Sequence, residues 1–166
     1  MFTLIWTLGS AAPAQAAGFL HAGQQAPSFS LLTINHKRIS LSSLLGKKPI
    51  IINAWASWCP PCQQETPEFV KAAKKYGHDI TFVGVNLTSI DSVSKARDFA
   101  HKYHIPYPIL LDTKGTFRQA YTVIAEPMTF VLTRKGRVVM VYMGALPPSW
   151  IPKMIHIALT GKTPHV

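Results

Sequence analysis

The chain has 166 residues, a length typical of one domain. With 48% hydrophobic and 14% charged residues it is not an intrinsically disordered chain, and two cysteines are too few for a small scaffold held by several disulfides. Seventeen Lys and Arg against seven Asp and Glu give a net charge of +10. The basic residues occur singly or in pairs without interleaved aromatic residues, which argues against a nucleic-acid partner. We expect the positive charge to attract an anionic membrane surface or an acidic partner, or simply to keep the protein soluble.

Residues 1–17 are predicted to lie outside the fold, as a signal peptide or a short N-terminal anchor. They are apolar, they carry no charged side chain, and Ala14-Gln15-Ala16 has the small-x-small pattern of a signal-peptidase site. The segment lacks the Lys or Arg usual at the start of a signal peptide, and a disordered apolar tail is the alternative. Export would place the protein in an oxidising, extracytoplasmic compartment. Residues 18–166 are predicted to form one domain.

The pattern along the rest of the chain alternates between strands and helices. The predicted elements, in order, are a hairpin (29–34 and 38–41), a helical turn (41–45), a buried strand (50–55), a helix (60–76), a strand (80–86), a helix (about 92–103), a strand (109–111), a short helix (116–121), a hairpin (129–133 and 138–143) and a final helix (about 149–159). This order predicts an α/β fold in which helices flank a central mixed sheet, with an extra hairpin at the N-terminus.

The segment Trp58-Cys59-Pro60-Pro61-Cys62 carries the chemistry. It follows a predicted strand and opens a predicted helix, where free amides and the helix dipole favour a cysteine thiolate. A two-residue spacer places both cysteines on one helix face, close enough for a disulfide. Cys59 is expected to be the exposed attacking thiol and Cys62 the buried resolving thiol. Pro60 and Pro61 suit a first helical turn and remove two amide donors there.

A C-x-x-C pair is also compatible with half of a metal site or with a structural disulfide, but the α/β context favours redox chemistry. Three functions remain open on the residues alone. The protein is a reductant of protein disulfides, an oxidant that forms them, or a thioredoxin-like carrier of Cu(I) bound by thiolates. His101 and His104 lie one helical turn apart but have no third ligand in view, so no metal site and no cofactor are expected.

The segment from Asn53 to Pro67, NAWASWCPPCQQETP, resembles the active-site segment of extracytoplasmic thioredoxin-like proteins of the TlpA/ResA type. The similarity continues at 83–86, 107–112 and 127–131, reaches Gly136 and Gly144, and covers about residues 25–160. It implies a thioredoxin fold and thiol–disulfide exchange outside the cytoplasm. It further implies disulfide-bonded protein substrates, apo-cytochrome c among them, and a membrane thiol donor that regenerates the dithiol.

The resemblance also assigns a cis-proline to Pro127, facing Cys59, where an extended substrate would pair with the backbone. The acid before it, Glu126, is predicted either to tune the pKa of the thiols or to bind a basic group on the substrate, a solvated loop acid being the alternative. Trp58 is predicted to form a wall of the substrate site. Asn53 cannot accept a proton, so a general base for Cys62 must come from elsewhere. Glu65 is expected to contact solvent or a lysine and to have no catalytic role.

Overall fold

A computed structural model of the protein describes residues 18–162. The elements, in chain order, are β1 (Ser30–Thr33), β2 (Arg38–Ser40), α1 (Leu41–Leu44), β3 (Ile50–Trp55), α2 (Pro60–Tyr76), β4 (Thr81–Asn86), α3 (Val93–Lys102), β5 (Ile109–Leu111), α4 (Thr116–Ala120), β6 (Met128–Leu132), β7 (Val138–Met143), a 3₁₀ turn (Pro148–Trp150) and α5 (Ile151–Thr160). The predicted signal peptide or anchor, residues 1–17, lies outside the described residues.

The seven strands form one mixed sheet in the order β2-β1-β5-β4-β3-β6-β7. β3 pairs in parallel with β4 and antiparallel with β6, and the N-terminal hairpin extends the sheet beyond β5. The predicted fold class, the extra hairpin and the antiparallel last pair of strands are therefore confirmed. The main difference is at the C-terminus, where Pro148 gives a 3₁₀ turn and delays the final helix to Ile151.

β3 is at the centre of the sheet and every one of its residues is buried. Ile50, Ile52 and Ala54 point into a cluster that includes α1 and α4, whereas Ile51 points into the cluster under α2 and α5. Burial on both faces explains why this strand is a continuous apolar, β-branched run instead of an alternating one. The buried strand therefore fixes the position of its own C-terminal end, and the Cys59–Cys62 segment begins just beyond that end.

Candidate active site

Cys59 and Cys62 form a disulfide at the N-terminus of α2. Cys59 is the N-cap residue of this helix, and its Sγ accepts a hydrogen bond from the backbone N–H of Cys62 at 3.2 Å. Pro60 and Pro61 occupy the first helical positions, where a missing N–H leaves no intrahelical bond unmade. A sulfur in this position receives both an amide donor and the positive end of the helix dipole, so the local geometry favours a thiolate on Cys59.

The loop before β6 covers Cys59. The Glu126–Pro127 peptide bond is cis, as the resemblance implied, and the carbonyl oxygen of Glu126 lies 3.5 Å from Cys59 Sγ. Pro127 is held in turn, because its own carbonyl accepts a hydrogen bond from the N–H of Gly144 at 2.8 Å. The structure therefore brings Pro127 and Glu126 against the disulfide.

The expectation that Cys59 is exposed is wrong for the disulfide form, whereas Cys62 is buried as expected. Cys59 is only 2% exposed and Cys62 1%. The cause is the 124–127 loop, which lies on Cys59 from a distant part of the chain. The two residues next to Cys59, Trp58 and Pro60, are exposed, so the sulfur lies immediately beneath the surface.

Comparison with known proteins agrees with this geometry. Residues 22–141 match the AhpC/TSA family. The thioredoxin-like protein YneN of Bacillus subtilis is 40% identical over 128 residues, which are 76% of this chain and 74% of YneN. The thiol-disulfide oxidoreductase ResA of the same organism is 34% identical over 142 residues, 85% of this chain and 78% of ResA. The chain is a member of the AhpC/TSA family, of the ResA type.

Solved structures show the same relationship. StoA from Bacillus subtilis matches with a TM-score of 0.67 at 28% identity, covering 78% of this chain and 97% of StoA. A thiol:disulfide interchange protein of the thioredoxin family from Chlorobium tepidum matches with a TM-score of 0.72 at 29% identity, covering 86% and 99%. The thioredoxin fold and the TlpA/ResA-type resemblance are thus confirmed, and this ResA-type protein is a thiol-disulfide oxidoreductase.

Glu65 is the site residue that the sequence analysis missed. It lies in α2, is 3% exposed and contacts neither solvent nor a lysine, so that expectation is wrong. One carboxylate oxygen accepts from Asn53 Nδ2 at 2.8 Å, and the other accepts from the N–H of Leu146 at 2.9 Å. Burial raises the pKa of Glu65 to about 7, because desolvation outweighs these two hydrogen bonds.

The position of Glu65 relative to Cys62 follows from helix geometry. Residues three apart in a helix share a face, so the Glu65 carboxyl is on the buried face of α2 that also carries Cys62. Asn53 cannot accept a proton itself. It lies in the central strand β3, and its hydrogen bond to Glu65 fixes the position of this acid. The signal available in the sequence was the three-residue spacing after Cys62, inside the helix that the motif opens.

A second acid, Asp91, fastens the segment that precedes the disulfide. Its carboxylate accepts from both the N–H and the hydroxyl of Ser57, each at 2.7 Å, and from Asn86 Nδ2 at 2.8 Å. Partial burial raises the pKa of Asp91, but these hydrogen bonds and one from the Ser92 N–H outweigh it, so the pKa is lowered overall. Trp58 Nε1 donates to the carbonyl of Ile90 at 3.0 Å in the same loop. The β4–α3 loop therefore fixes both residues that lead into Cys59.

Exposed apolar side chains surround the buried disulfide. Trp58 and Met143 are 50% and 58% exposed, and Ile124, in the loop over Cys59, is 56% exposed. Met143 pairs with Met128, directly after Pro127, and Ile90 lies beside Trp58. We call Trp58, Ile90, Ile124 and Met143 the apolar rim. Trp55, in contrast, is buried and stacks on Phe99.

The histidine pair has no metal-binding partner in the described part of the chain. Within residues 18–162 no group of three or more His, Cys, Asp or Glu side chains is close enough to hold a metal ion. No helix within the same residues is both long enough and apolar enough to cross a membrane.

Proposed function

We propose that this protein is an exported reductant of disulfides in extracytoplasmic proteins, with apo-cytochrome c as one candidate substrate. The observation that carries the proposal is the Cys59–Cys62 disulfide at a helix N-terminus, with the Glu126–Pro127 loop on its reactive side. ResA-type relatives named thiol-disulfide oxidoreductases support the chemistry. The apolar sequence of residues 1–17 supports export or anchoring outside the cytoplasm.

The proposed reaction is a two-step exchange. The Cys59 thiolate attacks one sulfur of the substrate disulfide, a Cys59–substrate mixed disulfide forms, and the other substrate sulfur leaves as a thiolate. The Cys62 thiolate then attacks Cys59 Sγ, the intramolecular disulfide closes, and the second substrate sulfur leaves. The substrate gains two electrons and two protons, which the dithiol loses. A membrane thiol donor then reduces the disulfide again by the same exchange in reverse.

The resolving step needs a proton acceptor for Cys62, and we assign this role to Glu65. A buried carboxylate with a pKa of about 7 is ionised in half of the molecules at neutral pH. At neutral pH Glu65 is therefore basic enough to accept a proton, and it is ionised in enough molecules to do so, as a general base requires. Asn53 and the Leu146 N–H donate one hydrogen bond to each oxygen and so hold the Glu65 carboxylate in a fixed orientation.

The apolar rim is suited to a protein substrate. Trp58, Ile124 and Met143 offer apolar surface around a sulfur that is itself covered, and an extended polypeptide would pair with the backbone beside Pro127. We assign Trp58 and Pro127 to substrate binding, and Pro60 and Pro61 to support of the helix start. An unfolded chain that exposes apolar residues around a disulfide fits this surface.

The direction of electron flow is tested by the reduction potential of the Cys59–Cys62 pair, measured by equilibration with glutathione buffers. We expect a value close to that of thioredoxin, about −270 mV, which makes the dithiol a reductant. A value close to that of DsbA, about −120 mV, would make the protein an oxidant and would overturn the proposed direction.

Glu126 is proposed to select substrates by charge. Its Oε1 atom is buried, and it accepts no hydrogen bond from any residue in the range 18–162, while its backbone carbonyl touches Cys59. An ammonium or guanidinium group on a docked peptide would supply the missing partner. A basic residue beside the substrate cysteine is therefore favoured.

Replacing Glu126 by glutamine keeps the size of the side chain and removes its charge. We expect kcat/KM to fall about fivefold for a disulfide peptide with lysine beside its cysteine, the loss of one partly exposed ion pair, and to change little for a neutral peptide. Stopped-flow reduction of the two peptides measures this. An equal change for both peptides would contradict charge selection. If the Cys59 thiol pKa is then also unchanged, Glu126 has no role in the site.

A further inference from the structure

The end of the molecule farthest from the disulfide concentrates positive charge. Lys47-Lys48 precede β3, Lys74-Lys75 end α2, and Arg134-Lys135 form the turn between β6 and β7. β3 ends and α2 begins at the cysteine pair, so the other ends of these elements lie together at the opposite side of the sheet. The 17 residues of α2 separate the two ends by about 25 Å, at 1.5 Å per residue.

Hydrogen bonds join these segments into one surface. Lys48 Nζ donates to the carbonyl of Gly77, just after α2, at 3.0 Å. The N–H of Gly46 donates to the carbonyl of Arg134 at 2.8 Å. The lysines before β3 are thus attached on one side to the end of α2 and on the other to the β6–β7 turn.

The N-terminal segment of the described chain also contacts this surface. Gln25 Nε2 donates to the carbonyl of Lys135 at 2.9 Å, and the Arg137 guanidinium donates to the carbonyl of Gly23. Gly23 and Arg137 also line a surface cleft with Lys162, which follows α5. The sequence upstream of residue 23, which includes the apolar residues 1–17, therefore joins the domain at this end.

We call this surface the basic pole. It carries eight basic side chains, all exposed except the half-buried Lys48: Lys47, Lys48, Lys74, Lys75, Arg134, Lys135, Arg137 and Lys162. In the segments that form it, 46–49, 74–80, 133–137 and 161–162, the one acid is Asp79, which is paired with His78. One exposed apolar residue lies at the same end, Leu159 in the last turn of α5, at 49%. Phe19, which is 63% exposed, precedes Gly23 by four residues.

We propose that the basic pole docks on anionic phospholipid headgroups and turns the disulfide away from the membrane. Clustered Lys and Arg side chains are attracted to anionic lipid surfaces. Stable membrane attachment takes two signals. Here the first is the cationic surface, and the second is the apolar sequence at the N-terminus, which leads into the segment next to that surface. A lipid boundary accounts both for the cationic surface and for the apolar sequence of residues 1–17, whereas an acidic protein would account for the charge alone. Exposed Phe19 and Leu159 add apolar surface that can contact lipid. The active site of a docked domain then faces outward toward protein substrates, about one domain length from the bilayer, and the domain must leave the lipid surface to meet the membrane thiol donor.

Vesicle binding of the full chain tests the proposal. Wild type is compared by cosedimentation on phosphatidylcholine vesicles with and without phosphatidylglycerol. The pole variant carries Lys47→Gln, Lys74→Gln and Lys135→Gln, because none of these side chains makes a described hydrogen bond. We expect its affinity for the anionic vesicles to fall roughly fivefold for each cation removed, about 100-fold in all, with no change on neutral vesicles.

The matched control removes the same number of charges elsewhere, by Lys95→Gln, Lys114→Gln and Lys153→Gln. Its affinity is expected to stay within about threefold of wild type, since surface charges beyond a Debye length from the lipid are screened. Equal losses in both variants, or wild-type binding that is indifferent to phosphatidylglycerol, would overturn the proposal. Tighter binding of wild type to polyglutamate than to the anionic vesicles, lost in the pole variant, would instead favour an acidic protein as the partner.

The orientation of the domain on the membrane is tested by a separate measurement, the alkylation of Cys59. A membrane-impermeant alkylating reagent should modify Cys59 of the reduced protein equally fast on vesicles and in solution. Strong slowing on vesicles would show that the active-site face lies against the membrane and would contradict the orientation. Vesicle binding requires no redox turnover, so its failure leaves the proposed function intact, and failure of the function leaves the binding test valid.

Discussion

Replacing Cys62 by serine is expected to trap the substrate on Cys59 as a mixed disulfide. The first exchange needs only Cys59, whereas release needs a second thiol to attack Cys59 Sγ. With serine at 62 that attack cannot take place, so multiple-turnover disulfide reduction should fall at least about a thousandfold, as expected for loss of a covalent catalytic group. The trapped partner is read by mass spectrometry after non-reducing electrophoresis of extracytoplasmic extracts.

Cys59→Ser is the matched control for this trap. It leaves Cys62, which is 1% exposed and lies one turn into α2, out of reach of a protein disulfide. This variant should neither turn over nor capture substrate. Capture by Cys59→Ser, combined with no capture by Cys62→Ser, would reverse the proposed roles of the two thiols.

Glu65→Gln is expected to remove a pH dependence from both catalysis and stability. With Glu65 as the acceptor of the Cys62 proton, the rate of the resolving step rises as the pH increases through about 7. Glutamine cannot accept that proton, so the rate near neutral pH should drop about a hundredfold, the usual contribution of a general base. The test is rapid-quench measurement of mixed-disulfide decay between pH 5 and 9 (a range of about two units either side of the pKa). The rate should show an inflection in wild type and none in Glu65→Gln.

The stability effect of Glu65 has a definite sign. Its folded-state pKa, about 7, lies above its unfolded value of 4.5, so the folded protein holds the proton more tightly. The free energy of unfolding should therefore decrease as the pH rises from about 4.5 to about 7, and stay level above that. The difference in pKa corresponds to about 3 kcal/mol. Urea denaturation at several pH values should show this decrease in wild type and its absence in Glu65→Gln.

Glu68→Gln serves as the control for Glu65→Gln. Glu68 is in the same helix, but its partner is Lys71 in a partly exposed ion pair at 2.6 Å. Its replacement should leave the pH profiles of decay and unfolding almost unchanged, because surface pairs contribute little. If Glu68→Gln alters both profiles as much as Glu65→Gln does, or if Glu65→Gln keeps the inflection near pH 7, Glu65 is not the proton acceptor.

The architecture could be predicted from the sequence because its signals are local. The apolar run at β3, the proline pair at the start of α2 and the Gly136 turn between β6 and β7 each determine their element within a few residues. The position of the cysteine pair at the start of a helix follows from the same local pattern.

The missing parts of the site depend on contacts between distant residues. Cys59 is buried by a loop 67 positions away, and Glu65 is kept inside by a backbone amide 81 positions away. Neither partner can be deduced from the hydrophobic pattern of α2. A glutamate in a helix is usually exposed, and here burial with two donors reverses that expectation.

Alkylation of Cys59 tests the central claim most directly. Cys62→Ser leaves Cys59 as the one cysteine of the chain, and its reaction rate with iodoacetamide is followed against pH. A sulfur activated by the start of α2 should react at pH 7 several-fold faster than free cysteine. Its half-maximal reactivity should lie moderately below the free value of about 8.5, because Pro60 and Pro61 remove two amide donors. A folded protein whose Cys59 reacts no faster than free cysteine, or does not react at all, would contradict the account.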